Sequence, residues 1–576
     1  MTKSDFNNID PHYEITKHER ITAFLVIALI LLLKILYAFR YRFNSDEPQH
    51  VHVVWGWVHG LLPYRDMFDN HTPLFHLLCV PFYTMVGDTP SVLFAMRLAM
   101  IPLYVIVLWC TYLIGREIFS QRVGLWAALF TGLYPFNFLC SVEFRPDSLW
   151  AAIWILAMAL IIQGRLKTGK SFWIGFLLGA AIGVSLKTCL LIATLGASAV
   201  LTVVFFAEHD WIRHYLRRCS LCAFAMLAGL SIVPVALILF LYSKGALGPF
   251  FYQVVDNNLY AFAGFGLRDN FYVRGVIFLF SIACLLCIAQ IINKCTPDNG
   301  IRCRRIFLLF TAGIYVASLY AFLSVIEWEH YLPLYPLFII LVTPIVLKVL
   351  AQGIAHQPGK DLMHYVPRWT FLSVVIFLEM CAIFVVADGA PWHDDTHHQI
   401  QLLKDVLQLT EPSDPVADLK GETIFRPRSS YYVLEWITRE QIKRGLLTDD
   451  IPERLIASHT CVAALDNSRF PKRTRAFLQQ NFIRIGCLRV VGQLLSFPEN
   501  TTPSISFDIK IPARYVIISK GGTTAGLLDD KPYDGARFLT AGHHEVNPSS
   551  RDRQFVLLWV RAEERGFSPF LQEKIS

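Results

Sequence analysis

Long apolar stretches constrain this chain more than any other feature of its sequence. Twelve of them occur within the first 387 of the 576 residues. Most approach the roughly 20 residues that a helix needs to cross the hydrocarbon core of a bilayer. They lie near 21–39, 73–87, 92–113, 124–141, 148–163, 172–187, 188–206, 220–241, 274–292, 306–323, 331–349 and 369–387. The sequence therefore predicts a polytopic all-α transmembrane domain.

Charge divides the chain at the same point. Residues 1–387 hold 28 Lys and Arg against 21 Asp and Glu, whereas residues 388–576 hold 24 of each. Only 17% of all residues are charged, compared with about a quarter in a typical soluble protein. Neither part has the basic excess that nucleic-acid binding requires. We expect a membrane domain followed by a soluble tail, with no nucleic-acid partner.

Basic clusters predict how the chain is oriented in the membrane. Because positive loops stay in the cytoplasm, the complementary loops and the tail are expected outside. The basic clusters are 116–122, 165–170, 213–218, 294–305 and 348–368. The expected external loops are 40–72, 142–147, the region near Lys187, 243–273 and 324–330. Twelve spans give the wrong parity for a cytoplasmic N-terminus and an external tail, so we expect 11 to 13 crossings.

The tail shows two successive patterns. Residues 389–497 alternate strand-like runs, including Thr423–Phe425, with helical stretches such as 398–409, 430–445 and 471–482, which is typical of a small α/β domain. Residues 498–576 contain short strand-like runs between turns, which is typical of a β-sandwich. Together with a membrane domain over 1–388, this gives three predicted domains. Since no glycine-rich phosphate loop follows the strand-like runs, no nucleotide cofactor is expected.

The first external loop carries two acidic centres. The first is Asp46-Glu47 and the second is formed by Asp66 and Asp69, with an amphipathic aromatic stretch between them. Carboxylates brought together can supply a general base and a metal ligand, which are the groups that activate a hydroxyl. The alternative is that they are ordinary charges at a membrane surface.

Histidines in the same loop offer a second candidate metal site. His50 and His52 would lie on one face of a strand, where with Asp46 they could bind a divalent cation. In a helix, residues two apart diverge by about 200°, which weakens that pairing. Packing and hydrogen bonding at the interface are the alternative.

Several motifs resemble those of the GT-C glycosyltransferases, in particular the bacterial lipid-linked-sugar transferases of the protein mannosyltransferase and aminoarabinose transferase type. The first loop carries an Asp-Glu after the first span, then G-x-x-P-Y-x-D at 60–66 and F-D-x-H-x-P-L at 68–74. Further likenesses are Arg145-Pro146-Asp147, Lys187 within G-V-S-L-K-T, and 330–336, which reads H-Y-L-P-L-Y-P. The resemblance extends over the predicted membrane domain.

This resemblance implies roles for individual residues. Asp46 would be the catalytic base or a metal-associated carboxylate, with Asp69 as the second carboxylate. Basic residues at external helix ends would bind the lipid phosphate. The resulting catalytic candidates are Asp46, Asp69 and Glu47, of which Asp46 and Asp69 are also candidate metal ligands. The resulting candidates for binding substrate or the lipid phosphate are Lys187, His330, Arg145, Asp147, His71, Tyr64 and Asp66.

Two departures from the family pattern affect these assignments. His71-Thr72-Pro73 stands where many relatives have a double proline, so the Asp69 alignment is uncertain by one residue. His330 stands where an arginine is common, which predicts a pH-sensitive phosphate contact at this position.

The sequence thus predicts a membrane glycosyltransferase of the bacterial inner membrane with a periplasmic tail. It would transfer a sugar from a polyprenyl-phosphate donor to a glycan, lipid or protein acceptor, with inversion at the anomeric carbon and with a divalent metal as a conceivable cofactor. A flippase of lipid-linked sugars and a non-enzymatic envelope assembly protein are the alternatives. Internal repeats and mid-membrane charges would favour the flippase.

Overall fold

The structure is a computed structural model, and it describes residues 15–206, 209–258, 271–323, 326–352, 368–464, 469–496, 504–549 and 554–570. Parts of the predicted external loop 243–273 and of the basic segment 348–368 lie outside these ranges. The chain forms two compact units. The membrane unit comprises Met1–Arg42, Asn70–Phe82 and Phe94–Asp394. The tail unit comprises Phe43–Asp69, Tyr83–Leu93 and Asp395–Ser576.

The membrane unit is helical throughout its described part. Its principal helices are Lys17–Arg40, Ile101–Ile118, Gln121–Leu133, Pro135–Cys140, Pro146–Ile162, Thr168–Val184, Thr188–Phe206, His209–Ser243, Phe271–Cys295, Asn299–Phe322, Tyr335–Gln352 and Arg368–Ala387. Helices Leu74–Val86 and Val92–Leu98 each belong partly to both units. Short helical turns cover Leu247–Phe250, Phe251–Asp256 and Trp328–Tyr331.

Six helices of the described chain are long and apolar enough to cross a membrane, and five shorter apolar helices accompany them. The predicted polytopic all-α architecture is confirmed by this helical unit. The first predicted span, 21–39, corresponds to Lys17–Arg40. The total number of crossings and their direction stay predictions.

Polar side chains hold both ends of the first helix. At its start, Thr16 and Glu19 form a capping box, so each side chain accepts a hydrogen bond from the other's backbone N–H. At its end, the buried Arg97 guanidinium donates to the carbonyls of Tyr41 at 2.7 Å and Arg42 at 2.8 Å. A cation at a helix C-terminus also favours the helix dipole.

Glycines allow two helices of the membrane unit to approach closely. A Cβ atom on Gly175 would lie 1.9 Å from the Met226 carbonyl oxygen, and one on Gly179 would lie 2.3 Å from that of Leu230. Helices Thr168–Val184 and His209–Ser243 therefore pack backbone against backbone, as small residues permit between helices in a membrane.

The tail unit combines helices with twelve strands. The helices that lie wholly within it are Asp46–Val58, His397–Leu409, Trp436–Lys443, Ile451–Ala457, Lys472–Asn481 and Val560–Glu564. The strands are β1 Val416–Ala417, β2 Val462–Ala464, β3 Phe482–Ile485, β4 Leu488–Ser496, β5 Ile505–Ile509, β6 Ala513–Ser519, β7 Gly522–Thr523, β8 Gly526–Leu528, β9 Lys531–Tyr533, β10 Arg537–Leu539, β11 Gly542–Pro548 and β12 Gln554–Trp559.

The strands form two sheets. The larger has the order β1-β2-β4-β12-β6-β10, with β3 and β7 attached at β4 and β6, and the smaller has the order β5-β11-β8-β9. Because β4 pairs with β12, strands from both predicted tail regions lie in one sheet. A single apolar cluster, which includes Leu402 and Val462 as well as Phe507 and Leu557, forms the core beneath it. The predicted α/β and β-rich parts of the tail are thus both present, and they share this core.

One strand predicted in the tail is wrong. Residues 423–425 form part of a turn in which Gly421 has φ +105° and Ile424 has φ +52°. The β-branched Thr423 and Ile424 favour a strand locally, but hydrogen bonds from this turn to the Asp418 carboxylate override that preference. The predicted helix over 430–445 is also shorter, Trp436–Lys443.

Candidate active site

Asp46 begins the helix that follows the first span. Asn44 Oδ1 accepts from the Asp46 backbone N–H over 3.1 Å, and Glu47 Oε1 accepts from the Asn44 N–H over 2.9 Å. These bonds satisfy donors that a helix start leaves without an intrahelical partner. Glu47 is fully buried, whereas 31% of the Asp46 side chain is exposed. Of the two acids, Glu47 therefore caps the helix and Asp46 is the one that a substrate can reach.

A lysine of the tail contacts the Asp46 carboxylate. Lys420 donates from its ammonium to Asp46 Oδ1, and only 10% of its side chain is exposed. The two residues are 374 positions apart in sequence, yet both belong to the tail unit. A buried ammonium is costly to desolvate unless an opposite charge compensates it, so the pairing with Asp46 accounts for the position of Lys420.

Lys420 is held in place by a turn built around Asp418. The Asp418 carboxylate accepts from the backbone N–H groups of Gly421 at 3.0 Å and Thr423 at 3.1 Å, and from the Thr423 hydroxyl at 2.8 Å. Arg428 Nε donates to the same carboxylate at 2.7 Å. Although burial alone would raise the pKa of Asp418, the Arg428 guanidinium lowers it below its usual value of 3.8. The carboxylate is thus ionised, and it determines the conformation of the turn.

The same turn contacts the Asp46–Val58 helix at a second point. His52 Nδ1 lies 2.7 Å from the Ile424 carbonyl oxygen, and burial lowers the pKa of His52 below 6.5. A neutral ring with its proton on Nδ1 fits this contact, since a carbonyl can only accept. A Cβ on Gly421 would lie 2.9 Å from the His52 side chain. The turn and the helix therefore meet closely at His52 as well as at Asp46.

These contacts do not fit a metal ion at Asp46. His50 and His52 lie on a helix, so they diverge, and His52 is engaged by Ile424. Across the residues that the structure describes, no group of three or more His, Cys, Asp or Glu side chains is arranged to hold a metal. The Asp46 carboxylate is paired with the Lys420 ammonium.

The second acidic centre of the loop is more enclosed. Tyr64 is fully buried with φ +72°, and its pKa is raised first by burial and then by the charge of Asp69. Only 1% of Asp69 is exposed. Asp66 accepts from the Leu62 N–H at 2.8 Å and pairs with Arg65 at 2.8 Å. Asp66 therefore stabilises the loop, and Asp69 is the buried carboxylate beside Tyr64.

Two aromatic residues of the tail pack against this centre. The Tyr431 hydroxyl donates to the Tyr64 carbonyl oxygen. The Phe68 ring lies 6.0 Å from the Tyr431 ring and 5.6 Å from the Tyr432 ring. Residues 418–432 of the tail thus contact the first loop near both of its acidic centres, within one compact unit.

A separate ionic cluster occupies the membrane unit. Lys187 Nζ lies 3.0 Å from Asp147 Oδ1, and Arg145 Nη2 lies 2.7 Å from Glu329 Oε1. Arg145 also lies 3.4 Å from Glu143 and 3.6 Å from Asp147. Pro146 starts the helix, so Arg145 and Asp147 flank a helix N-terminus. Arg145, Asp147 and Lys187 are therefore brought together with Glu143 and Glu329. His330 lies close enough for the charges of Lys187, Asp147 and Arg145 to act on its ring.

His330 does not have the predicted pH sensitivity. Burial lowers its pKa to about 3, and the nearby Lys187 charge acts in the same direction. The ring is therefore neutral near pH 7 in this structure. His71, the remaining predicted residue, packs edge-on against His76 with ring centroids 6.3 Å apart.

The two cations of this cluster differ in accessibility. One third of the Lys187 side chain is exposed, compared with 12% of Arg145. Three carboxylates surround these two cations. Lys187 is thus the better placed of the two to contact an incoming anion.

Sequence reasoning missed the residues that the tail contributes. They are Lys420, Asp418, Arg428 and Tyr431. Gly421 was a usable signal for a turn, because glycine tolerates positive φ. No pattern in the sequence around Gly421 indicated that this turn would contact Asp46.

Comparisons with known proteins show which fold this chain shares. The family model described as dolichyl-phosphate-mannose-protein mannosyltransferase matches residues 70–238. The crystal structure of ArnT from Cupriavidus metallidurans bound to undecaprenyl phosphate superposes with a TM-score of 0.52 at 14% identity, covering 81% of this chain and 97% of that one. The chain has the GT-C fold. The resemblance to these glycosyltransferases, first seen in the loop motifs, is therefore confirmed.

A second solved structure with the GT-C fold is less similar. The oligosaccharyltransferase AglB from Archaeoglobus fulgidus gives a TM-score of 0.48 at 11% identity, covering 78% of this chain and 70% of that one. No curated protein matches the chain in sequence. Within the GT-C fold, the matched segment 70–238 contains His71, Arg145, Asp147 and Lys187, whereas Asp46 and Lys420 lie outside it.

Proposed function

We propose that this chain is an integral membrane glycosyltransferase that moves a sugar from a polyprenyl-phosphate donor to an envelope acceptor. The observation that supports this most directly is Asp46, an accessible carboxylate at a capped helix start in a chain with the GT-C fold. A carboxylate in this setting can act as the general base that a hydroxyl acceptor requires.

The reaction is a single displacement. The Asp46 carboxylate takes the proton of the acceptor hydroxyl, and the hydroxyl oxygen forms a bond to the anomeric carbon. The bond between that carbon and the phosphate oxygen breaks, and its electron pair leaves with the polyprenyl phosphate. One displacement inverts the configuration at the anomeric carbon. Asp69, buried beside Tyr64, is the second carboxylate of the proposed site and would orient the acceptor.

The donor phosphate is assigned to Lys187, with Arg145 in support. Lys187 is the more exposed of the two cations in the membrane unit. A phosphate contact would replace or share its present pairing with Asp147 at 3.0 Å. Two of the compared proteins support a lipid phosphate donor: the matched family is named for dolichyl-phosphate-mannose, and ArnT was crystallised with undecaprenyl phosphate.

The site is assigned to the external face of the bacterial inner membrane, with the tail in the periplasm. The positive-inside rule supports this orientation, because the basic clusters alternate with the loops that carry the candidate residues. The acceptor class comprises lipopolysaccharide, another glycan and protein.

The deciding experiment measures sugar transfer from a polyprenyl-phosphate donor by purified wild type and Asp46→Asn. Asn has nearly the same shape but cannot accept a proton as a carboxylate does, so we expect kcat to fall by about 10²-fold or more. The matched control is Asp450→Asn, which removes an exposed carboxylate paired with Arg454 elsewhere in the tail. Equal turnover by Asp46→Asn and Asp450→Asn would rule out the proposed mechanism.

A further inference from the structure

The Asp46 carboxylate is paired with an ammonium group that the tail supplies. In a metal-assisted site, a divalent cation would be expected at this position. Lys420 is mostly buried, and its ammonium donates to Asp46 Oδ1. The ligand set around Asp46 does not suit a metal among the residues that the structure describes. A fixed positive charge beside a carboxylate favours its ionised form and restricts its orientation.

Lys420 is held by more contacts than a lysine on a surface loop would need. The turn that carries it is fixed on one side by the Asp418 carboxylate, which binds Gly421, Thr423 and Arg428. Arg428 Nη2 also donates to the carbonyl oxygen of Leu419, the residue before Lys420, at 2.8 Å. The backbone on both sides of Lys420 is therefore restrained.

The turn is also restrained on the side of the Asp46–Val58 helix. His52, six residues after Asp46, bonds to the Ile424 carbonyl at 2.7 Å, and Gly421 packs directly on its ring. Six residues correspond to about 9 Å along a helix. Two contacts at this separation set both the position and the direction of the Lys420 side chain relative to Asp46.

We propose that Lys420 is a positioning residue for the transfer reaction, through which the C-terminal domain completes the catalytic centre at Asp46. This inference rests on the proposed role of Asp46 as the base. Lys420 orients the carboxylate, so that Asp46 is placed to take the acceptor proton. The tail thus contributes a residue to the active site. The positive charge of Lys420 orients the Asp46 carboxylate, as a bound metal cation does in metal-dependent sites.

The test compares Lys420→Met, Lys420→Arg and the control Lys443→Met in the full-length protein reconstituted in nanodiscs. Lys443 lies in the same unit, 79% of its side chain is exposed, and it pairs only at the surface with Glu440. For Lys420→Met we expect kcat to fall by about 10- to 100-fold with little change in the donor KM, because misplacing a catalytic group slows the chemical step. We expect Lys420→Arg to recover most of the activity.

Rescue by the conservative variant separates positioning from general loss of structure. Because arginine also places a positive charge beside Asp46, kcat of Lys420→Arg should stay close to that of wild type, while kcat of Lys420→Met falls at an unchanged donor KM. Wild-type transfer should persist in EDTA. A kcat of Lys420→Met equal to that of Lys443→Met, or transfer that EDTA abolishes and Mg²⁺ restores, would overturn the inference.

A double-mutant cycle tests the contact without relying on activity. The thermal midpoints of Asp46→Asn, Lys420→Met and the double variant should be non-additive, because each single change removes the same interaction. If Asp46→Asn is fully active, the proposed function fails. If Asp46→Asn is inactive while Lys420→Met behaves as Lys443→Met does and the cycle is additive, the positioning role alone fails.

Discussion

Arg428 Nε lies 2.7 Å from Asp418 Oδ1, and 6% and 0% of the two side chains are exposed. This ion pair organises the turn that carries Lys420, because the same carboxylate also accepts from Gly421 and Thr423. A buried pair with further hydrogen bonds tolerates the removal of one partner poorly, since the other charge is then left uncompensated.

Arg428→Met should therefore destabilise the tail strongly. We expect a loss of about 3–5 kcal/mol in the free energy of local unfolding, measured as faster amide hydrogen exchange over residues 416–432 of the full-length protein. The control Arg444→Met removes an exposed pair with Glu440, which should leave exchange over these residues close to that of wild type, because exposed ion pairs contribute little to stability. Equal exchange in the two variants would contradict the structural role of the Asp418–Arg428 pair.

Acid should loosen the same turn. The folded pKa of Asp418 lies below its usual value, so its ionised form contributes stability at pH values above the unfolded pKa of about 3.9. That contribution is lost as the pH falls through the folded pKa. The protection factors for amide hydrogen exchange over residues 416–432, which correct for slower intrinsic exchange in acid, should fall below about pH 4 in wild type. In Asp418→Asn, exchange should already be faster at pH 7 and should change less on acidification.

Gly421→Ala should disturb the turn through sterics alone. The alanine Cβ would meet the His52 side chain at 2.9 Å, and φ +105° is a conformation that alanine rarely adopts. We expect reduced thermal stability together with transfer activity lowered in the direction of Lys420→Met. Gly445→Ala is a matched control, because it has a positive φ of +73° but nothing within 4 Å of the added Cβ. Similar activity in the two alanine variants would show that the contact with His52 is dispensable.

Lys187 and Arg145 should respond differently to loss of charge. Because Lys187 is the more exposed cation, Lys187→Met should raise the donor KM by about tenfold, the factor that corresponds to 1.4 kcal/mol of binding energy. Arg145→Gln removes contacts with three carboxylates, so it should lower stability as well as activity. The exposed Lys167 provides the control variant Lys167→Met. A donor KM unchanged in Lys187→Met would remove this residue from the phosphate site.

His330 should contribute nothing to the pH dependence near neutrality. With a pKa of about 3, its ring is neutral between pH 5 and 8. The pH–rate profiles of wild type and His330→Gln should therefore have the same shape over that range, whatever the change in absolute rate. A limb near pH 6.5 that is present in wild type and absent from His330→Gln would contradict this.

Local patterns predicted the parts of the fold that depend on short-range interactions. The first span was recognisable because apolar residues fill 21–39, and Thr16 with Glu19 forms the cap that begins the helix. The β-rich pattern predicted for residues 498–576 is present as strands β5 to β12. The meeting of Arg145, Asp147, Lys187 and His330 was expected only from the family resemblance, since these residues are far apart in sequence.

The sequence by itself determined a membrane domain, a soluble tail and Asp46 as the leading acidic candidate, because hydropathy, charge and a short motif are properties of neighbouring residues. Only the tertiary structure decided that the Lys420 ammonium pairs with the Asp46 carboxylate, since the two residues are 374 positions apart in sequence. It also decided that His330 is neutral, because burial, not residue type, determines that pKa. Burial and long-range contact arise only when the chain folds, which is why neither could be inferred from the order of residues.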